Sequence, residues 1–222
     1  HQLTRRQRQM CIRDSIQIAK QSPSGVNTQP WNVYVLSGDA RDKLVNEATS
    51  RYDQGKMDGQ EYLVYPKEMP DWYKERRRAV GWAMYGAIGI EKGDTEKMMA
   101  QGRKNYEFFG APVGIFITVK NCVGPNGWGH VGHFIQNVCL LAIENGLATC
   151  LQEAWAELPK LVREHVDYPE DETLWCGIAL GYEDETDPVN QFRTEREDLE
   201  NFSKFFKSVS YTHLRAHETL TD

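Results

Sequence analysis

The segment from Trp128 to Asn145 places the strongest constraint on how this chain folds. Its apolar residues follow a helical period, but they occupy more than one face of the helix. A helix that is apolar nearly all round is buried on all sides in a globular protein. We therefore expect this helix to lie at the centre of the domain or in an interface between subunits, with Gly146 as its C-terminal cap. The apolar positions are Phe134, Ile135, Val138, Cys139, Leu141, Ala142 and Ile143.

Composition narrows the classes of protein. A chain of 222 residues fits one domain with a full core, and its net charge of −6 argues against nucleic acid as a partner. No apolar run has the length of a membrane span, and no signal peptide opens the sequence. The 5 cysteines are odd in number and lack CxxC spacing, which favours a reducing compartment and a cytoplasmic location. Cys139 and Cys176 lie in strongly apolar stretches and are expected to be small buried hydrophobes.

The two ends differ from the rest of the chain. Residues 1–14 are nearly all polar and basic, and residues 208–222 have no apolar periodicity. Both stretches resemble translated sequencing-adapter ends, so we interpret them as a non-native leader and a non-native tail. The single domain is then expected to span residues 15–207.

Between these ends, strand and helix patterns alternate with long excursions. This mixture predicts an α+β fold, an antiparallel-rich mixed sheet flanked by helices. The expected strands are Trp31–Leu36, Val113–Val119 and Thr173–Tyr182. One helix is expected to end at Gln21, and the other expected helices cover Asp39–Arg51, most of Asp71–Gly102 and Pro159–His165. Gln54–Pro70 is expected to be irregular, Gly124–Gly127 to be a turn, and the extended polar tail to close with the amphipathic piece Leu199–Phe206.

The loop from Ser22 to Trp31, with the sequence SPSGVNTQPW, is the most informative segment. It ends a helix, enters a strand, and concentrates polar oxygen and nitrogen atoms in a few residues. Asn27 and Gln29 each offer a donor and an acceptor, which suits the edge of a heteroaromatic ring. On local pattern alone, an ordinary Asx-type turn between helix and strand explains the loop equally well.

Two further segments carry candidate ligand-binding groups. Gly146–Trp155 is expected to form a buried turn whose backbone N–H groups, beside Gln152 and Glu153, could hydrogen-bond a cofactor, although a plain connection is also possible. Arg193 and Arg196 could grip one phosphate. Taken alone, the local sequence favours solvated salt bridges between these arginines and the acidic residues around them.

Other polar clusters point away from additional chemistry. His130 and His133 have helical spacing, but no carboxylate accompanies them, so we expect no metal site. Arg76, Arg77 and Arg78 are interpreted as a solvated helix face. The sequence contains no GxSxG, P-loop or GxGxxG motif, which leaves an esterase or a classical dinucleotide fold without support.

Taken together, these motifs resemble the nitroreductase family of FMN-dependent homodimeric oxidoreductases. SPSGVNTQPW resembles the family's flavin-edge loop, NYEFFGAPVGIFIT the approach to its central strand, and GHFIQNVCLLAIENGLATCLQEAW its dimer-core helix and flavin-contact turn. CGIALGYEDETDPVNQFRTER resembles its last strand and phosphate-binding tail. The resemblance runs from about Ile16 to Phe202 and is closest to the nitrobenzoate-reductase-like branch.

This resemblance implies a set of site residues. The family pattern places the FMN at the dimer interface and implies no catalytic side chain and no metal, because the flavin carries the chemistry. One element departs from the pattern: the family's N-terminal Arg-Arg-Ser motif has no counterpart at the expected distance, because Arg5 and Arg6 lie too close to Pro23. The implied FMN contacts are Pro23, Ser24, Gly25, Asn27, Gln29, Asn105, Gln152, Glu153, Arg193 and Arg196, and the implied substrate pocket is Tyr106, Phe109 and Trp128.

The function implied is reduction of nitroaromatics, quinones or similar electron-poor small molecules by NADH or NADPH, in a ping-pong cycle of hydride transfer through FMN. Two alternatives remain open from the sequence. The protein could bind flavin as a carrier or sensor without significant turnover. It could also be a same-fold relative that acts as a dehalogenase or fragments flavin.

Overall fold

A four-stranded antiparallel sheet forms the centre of the protein, in a computed structural model that describes residues 5–206, with side chains from residue 12 onward. The strand order is β1-β2-β4-β3. The three strands predicted from the sequence are all present, and β3 is a fourth strand that the sequence did not predict. The strands are β1 (Trp31–Ser37), β2 (Val113–Lys120), β3 (Ala148–Gln152) and β4 (Glu172–Gly181).

Eight α-helices and three 3-10 helices are described around this sheet. Among them, none is both long enough and apolar enough to cross a membrane. The α-helices are α1 (Arg5–Ala19), α2 (Asp39–Asp53), α3 (Asp71–Ala87), α4 (Thr95–Arg103), α5 (Pro125–Glu144), α6 (Pro159–Val166), α7 (Pro188–Gln191) and α8 (Leu199–Phe202), and the 3-10 helices are Gly25–Asn27, Lys104–Gly110 and Glu153–Glu157.

Alternation along β2 sends side chains into two separate cores, because successive residues of a strand point to opposite faces. Ile115 and Ile117 pack with Phe134 of α5 on one face. Phe116 packs on the other face, where it meets Trp155 and Leu44 of α2. The result is a three-layer α+β domain, which confirms the predicted fold class.

The structure corrects several finer predictions. All described strand pairs are antiparallel, so the sheet has no parallel pair where a mixed one was expected. Residues 125–127 start α5 instead of forming a turn, because Pro125 is well suited to the first turn of a helix. The segment expected to be a buried turn, residues 146–155, contains the edge strand β3 and the start of the 3-10 helix Glu153–Glu157. The helical stretch 71–102 is interrupted at residues 88–94.

The boundary proposed between leader and domain falls inside α1, which continues without a break from Arg5 to Ala19. The structure therefore offers no visible division at residue 14, and the limits of the native domain stay a prediction. The predicted tail at residues 208–222 lies outside the described residues.

Helix α5 is buried on one side only within the single chain. Val131, Phe134 and Val138 are buried in the core that α5 forms with the sheet and with α1. Leu140 is 54 % exposed and Ile143 is 65 % exposed. Of the two predicted positions, the centre of a single domain is therefore not the one observed, and burial in a subunit interface stays a prediction. Within one chain, the apolar outer face of α5 is left without cover.

Candidate functional site

A cavity of about 620 Å³ opens beside β3 and the start of β4. Its size lies within the range of small-molecule and cofactor pockets. The lining combines amide, aromatic and carboxylate side chains, and several residues of the predicted site meet there. The lining residues are Gln60, Val64, Tyr65, Asn105, Tyr106, Ile135, Leu151, Gln152, Glu153, Ala154, Glu157, Trp175 and Cys176.

A hydrogen bond joins the two predicted amide residues of this cavity. The side-chain amide of Gln152 donates to the backbone oxygen of Asn105 at 2.7 Å. Gln152 is buried, and its Oε1 has no hydrogen-bond partner among the described residues. A buried acceptor without a donor costs free energy, which a ligand N–H or O–H could recover. The amide of Asn105 itself donates to Gly102 O at 3.0 Å.

The irregular segment between α2 and α3 supplies one wall of the cavity. Tyr62 Oη donates to the backbone oxygen of Trp175 at 2.6 Å, and the backbone N–H of Asp58 donates to Glu157 O at 2.9 Å. These bonds fix the segment against the sheet, so that Gln60 and Tyr65 line the cavity. Sequence reasoning missed this wall because the segment has no apolar periodicity.

The three predicted pocket aromatics occupy different positions. Tyr106 lines the cavity, but it is buried in the core and its Oη donates to Ala154 O at 3.1 Å. Trp128 lies behind the lining, with its ring centroid 5.3 Å from that of Trp175. Phe109 does not line the cavity and is 42 % exposed.

Cys176 is the thiol that lines this cavity. Burial raises its pKa to about 12, and the nearby Glu153 adds to the rise. The side chain is therefore a neutral thiol at physiological pH. Since the thiolate is the nucleophilic form, this thiol is a poor nucleophile. Cys176 and Cys139 are both buried, which confirms that prediction.

The Ser22–Trp31 loop lies apart from this cavity and has an unusual backbone. Val26, Asn27 and Gln29 have φ values of 46°, 60° and 46°. Left-handed backbone at non-glycine residues costs about 1–3 kcal/mol each and is concentrated at functional sites. Ser24 Oγ accepts the backbone N–H of Gln29 at 3.0 Å, so a bond from side chain to backbone closes the loop on itself.

Side chains from α5 hold this loop from outside. Asn137 Nδ2 donates to Ser22 Oγ at 2.7 Å, and His133 Nδ1 lies 3.4 Å from Pro23 O. His130 also contacts the loop, through Gly25. Over the part of the chain that the structure describes, no three His, Cys, Asp or Glu side chains are grouped to hold a metal ion.

Arg193 and Arg196 follow α7 in exposed positions. The Arg193 guanidinium donates to Asn190 O and to Phe192 O. Arg196 donates to Thr194 and to Glu195 O. Within residues 12–206 neither guanidinium pairs with a carboxylate, whereas Glu197 pairs with Arg76 of α3. Both arginines therefore keep charge available for an anion, and the alternative of salt bridging to neighbouring acids is not what the structure contains.

The predicted site residues thus fall into three groups. Asn105, Tyr106, Gln152 and Glu153 meet at the cavity. The loop residues 23–29 are gathered on α5, and the two arginines lie on the tail. The fold and this arrangement define an α+β protein with a cofactor-sized pocket at the edge of an antiparallel sheet.

The chain belongs to the nitroreductase family, whose family model matches residues 11–182. It is 36 % identical over 199 residues to a 4-nitrobenzoate reductase of Nocardioides sp. (strain LMS-CY), covering 87 % of this chain and 80 % of the relative. This membership confirms the resemblance inferred from the four sequence motifs.

Solved structures of similar proteins have the same fold. The FMN- and NADPH-dependent nitroreductase NfnB of Sphigopyxis sp. strain HMH matches with a TM-score of 0.84 at 33 % identity, over 92 % of this chain and 91 % of that chain. The FMN-dependent nitroreductase NfnB of Mycobacterium smegmatis, solved with NADPH, matches with a TM-score of 0.85 at 28 % identity. That match covers 90 % of this chain and 89 % of the other.

Proposed function

We propose that this protein binds FMN without a covalent bond and uses NADH or NADPH to reduce nitroaromatic, quinone or similar electron-poor molecules. The observation that carries the proposal is the cavity in which Gln152 presents a buried, unpartnered acceptor beside Asn105. Family membership supports it, as do relatives whose names state nitrobenzoate reduction and dependence on FMN and NADPH.

The donor set fits FMN. A flavin ring has N–H and C=O groups along one edge, and the cavity and the loop offer amide side chains for both kinds of group. A flavin also has a phosphate, and Arg193 and Arg196 have no carboxylate partner among the described residues that would compete for it. Asn27 and Gln29 are exposed in the loop, and their side chains are accessible to a ligand.

We also propose that each flavin site is shared between two copies of the chain in a homodimer. Within one chain, the Ser22–Trp31 loop does not line the cavity that contains Gln152. The exposed Leu140 and Ile143 leave the outer face of α5 uncovered, and α3 contains no buried residue at all. A two-fold interface through these faces would bury them and bring one copy's loop to the other copy's cavity.

The protein's contribution to the reaction is binding and orientation. Bound FMN would supply the electron-transfer chemistry, taking electrons from the nicotinamide cofactor and passing them to the acceptor. The amides of Gln152 and Asn105 would orient the ring, and Arg193 would hold the phosphate. Tyr65 and Trp175 would form apolar walls against which a flat acceptor packs and from which water is excluded.

We place this activity in the cytoplasm. The four cysteines with described side chains, Cys122, Cys139, Cys150 and Cys176, are all free thiols, which suits a reducing compartment. A small aromatic acceptor is the expected partner besides the nicotinamide cofactor.

Steady-state turnover separates the enzyme from a flavin carrier or sensor. The FMN-loaded protein is mixed with NADPH or NADH, and cofactor oxidation is followed with and without 4-nitrobenzoate. We expect oxidation that depends on both FMN and the acceptor, with multiple turnovers per flavin. A single stoichiometric oxidation that stops would contradict the enzymatic proposal and indicate a carrier.

A further inference from the structure

The helix α5 contacts the Ser22–Trp31 loop through side chains of one face. His130, His133 and Asn137 are spaced i, i+3 and i+7, which places them on the same side of the helix. Of the three contacts, the one from His130 reaches the middle of the loop. The backbone N–H of Gly25 donates to His130 Nε2 at 3.2 Å.

This bond defines the state of the His130 ring. Because the Gly25 N–H is the donor, Nε2 presents its lone pair to the loop. The proton of the neutral ring then lies on Nδ1, which is buried and has no hydrogen-bond partner among the described residues. His130 therefore acts on the loop as a hydrogen-bond acceptor. A side chain without an acceptor at this position would leave the Gly25 N–H without this partner.

Gly25 and His130 also fit each other sterically. A Cβ built on Gly25 would lie 3.1 Å from His130 Cε1, closer than ordinary van der Waals contact. The imidazole therefore packs directly against the Gly25 backbone. The absence of a side chain at Gly25 permits both this packing and the hydrogen bond.

The loop needs such support because its backbone is strained. Val26 and Asn27, which follow Gly25, have positive φ. Val26 is a β-branched residue and is 98 % exposed. Such backbone persists only where the surroundings determine it. The long helix α5 provides a fixed platform for that purpose.

We propose that His130 is a positioning residue: its Nε2 holds the Ser22–Trp31 loop in the conformation that presents Asn27 and Gln29 to the ligand. The identity of that ligand as FMN rests on the proposed function. His130 itself does not touch the reacting atoms in this account. By fixing the loop before the ligand arrives, it lowers the conformational entropy lost on binding.

Two variants of His130 separate the hydrogen bond from the packing. His130→Leu removes the acceptor and keeps an apolar side chain in place, whereas His130→Gln restores an acceptor oxygen near the position of Nε2. The first readout is hydrogen exchange of the Gly25 to Gln29 amides in the absence of flavin. The second is the FMN dissociation constant, measured by quenching of flavin fluorescence.

We expect His130→Leu to accelerate amide exchange at Gly25 and to weaken FMN binding, each by about 2- to 10-fold, the range for loss of one neutral hydrogen bond. His130→Gln should recover most of both effects. Unchanged exchange in His130→Leu would overturn the proposal. Equal effects of the two variants would also overturn it, because the ring would then act by its volume alone.

A variant on the loop side keeps the test decisive if His130→Leu fails to fold. Gly25→Ala pushes against the ring from the opposite side and should accelerate exchange in the same amides; no acceleration would contradict the proposal. Where both variants fold, their combination should add little to either alone, since they break one contact. If the parent protein binds no FMN while the exchange results hold, the proposed function fails and the positioning role of His130 stands.

Discussion

Gln152 lies beside Asn105 in the lining of the cavity, and its side-chain amide donates to the Asn105 backbone oxygen at 2.7 Å. The two residues are distant in sequence, and each was assigned to flavin binding from a separate motif. Their bond brings the 3-10 helix Lys104–Gly110 against the end of β3. It also leaves Gln152 Oε1 buried without a donor among the described residues.

Replacing Gln152 by Leu should weaken FMN binding by about 3- to 10-fold, because the acceptor available to the ligand is lost. The measurement is a fluorescence-quenching titration of FMN. The exposed Gln54, whose amide donates to Ser50 on α2, provides a matched control as Gln54→Leu. Equal affinities for parent and Gln152→Leu would show that Oε1 has no role in binding.

Arg193→Ala should weaken FMN binding by about 10- to 100-fold, because a charge-assisted contact with the phosphate contributes roughly 1.5–3 kcal/mol. Riboflavin lacks the phosphate, so its affinity should hardly change. Arg78, exposed on α3, serves as the control arginine. If FMN and riboflavin lose affinity equally, the variant has disturbed the fold, and if neither does, the phosphate is held elsewhere.

Gly177→Ala should destabilise the domain by about 1–3 kcal/mol, the range for overpacking of a core. A Cβ at Gly177 would lie 2.4 Å from Cδ1 of Trp155, whose side chain is fully buried. Gly129→Ala on α5 is the control, because its new methyl would meet nothing within 4 Å. Urea denaturation should show a lower midpoint for Gly177→Ala only. A midpoint equal to that of the parent would contradict the close packing of Trp155 against Gly177.

The cysteines should differ sharply in alkylation. Burial raises the pKa of Cys176 to about 12, whereas Cys122 is exposed. In native protein at pH 8, iodoacetamide should modify Cys122 well before Cys176, and urea should remove the difference. Folding raises the pKa of Cys176, so the folded state binds this proton more tightly than the unfolded state does. The resulting contribution to the free energy of unfolding is fully present below the ordinary thiol pKa and is lost as the pH rises toward 12. Rapid labelling of Cys176 in native protein would contradict its burial.

Ile143→Glu should convert the proposed homodimer into monomers and weaken FMN binding, because it places a charge on the uncovered face of α5. Lys160→Glu on α6 changes an exposed residue elsewhere and should leave the dimer intact. Light scattering of both variants provides the measurement. A parent chain that is monomeric and still binds FMN fully would contradict the shared site.

Local pattern was sufficient for the strands β1, β2 and β4 and for α6, since each has clear apolar periodicity bounded by Gly or Pro. It failed at β3, whose short sequence ATCLQ follows a helix directly and becomes a strand only through pairing with β4. It failed also at Pro125, where a proline and two glycines were interpreted as a turn although proline favours the first turn of a helix.

The site was predictable where residues lie next to family motifs and less so elsewhere. Gln60 and Tyr65 lie on a segment without periodicity, and only long-range bonds such as that of Tyr62 to Trp175 place the segment at the cavity. His130 was considered solely as a metal ligand. Its contact with Gly25 joins residues that are far apart in sequence, which no local pattern could indicate.

The central claim, that this chain holds FMN without a covalent bond, is tested most directly by titrating the purified protein with FMN and following flavin fluorescence and the visible spectrum. The account predicts saturable quenching at micromolar protein, absorption bands of oxidised flavin that stay with the protein on gel filtration, and complete release of the flavin on acid precipitation. A protein that stays colourless and leaves FMN fluorescence unquenched at that concentration would contradict it.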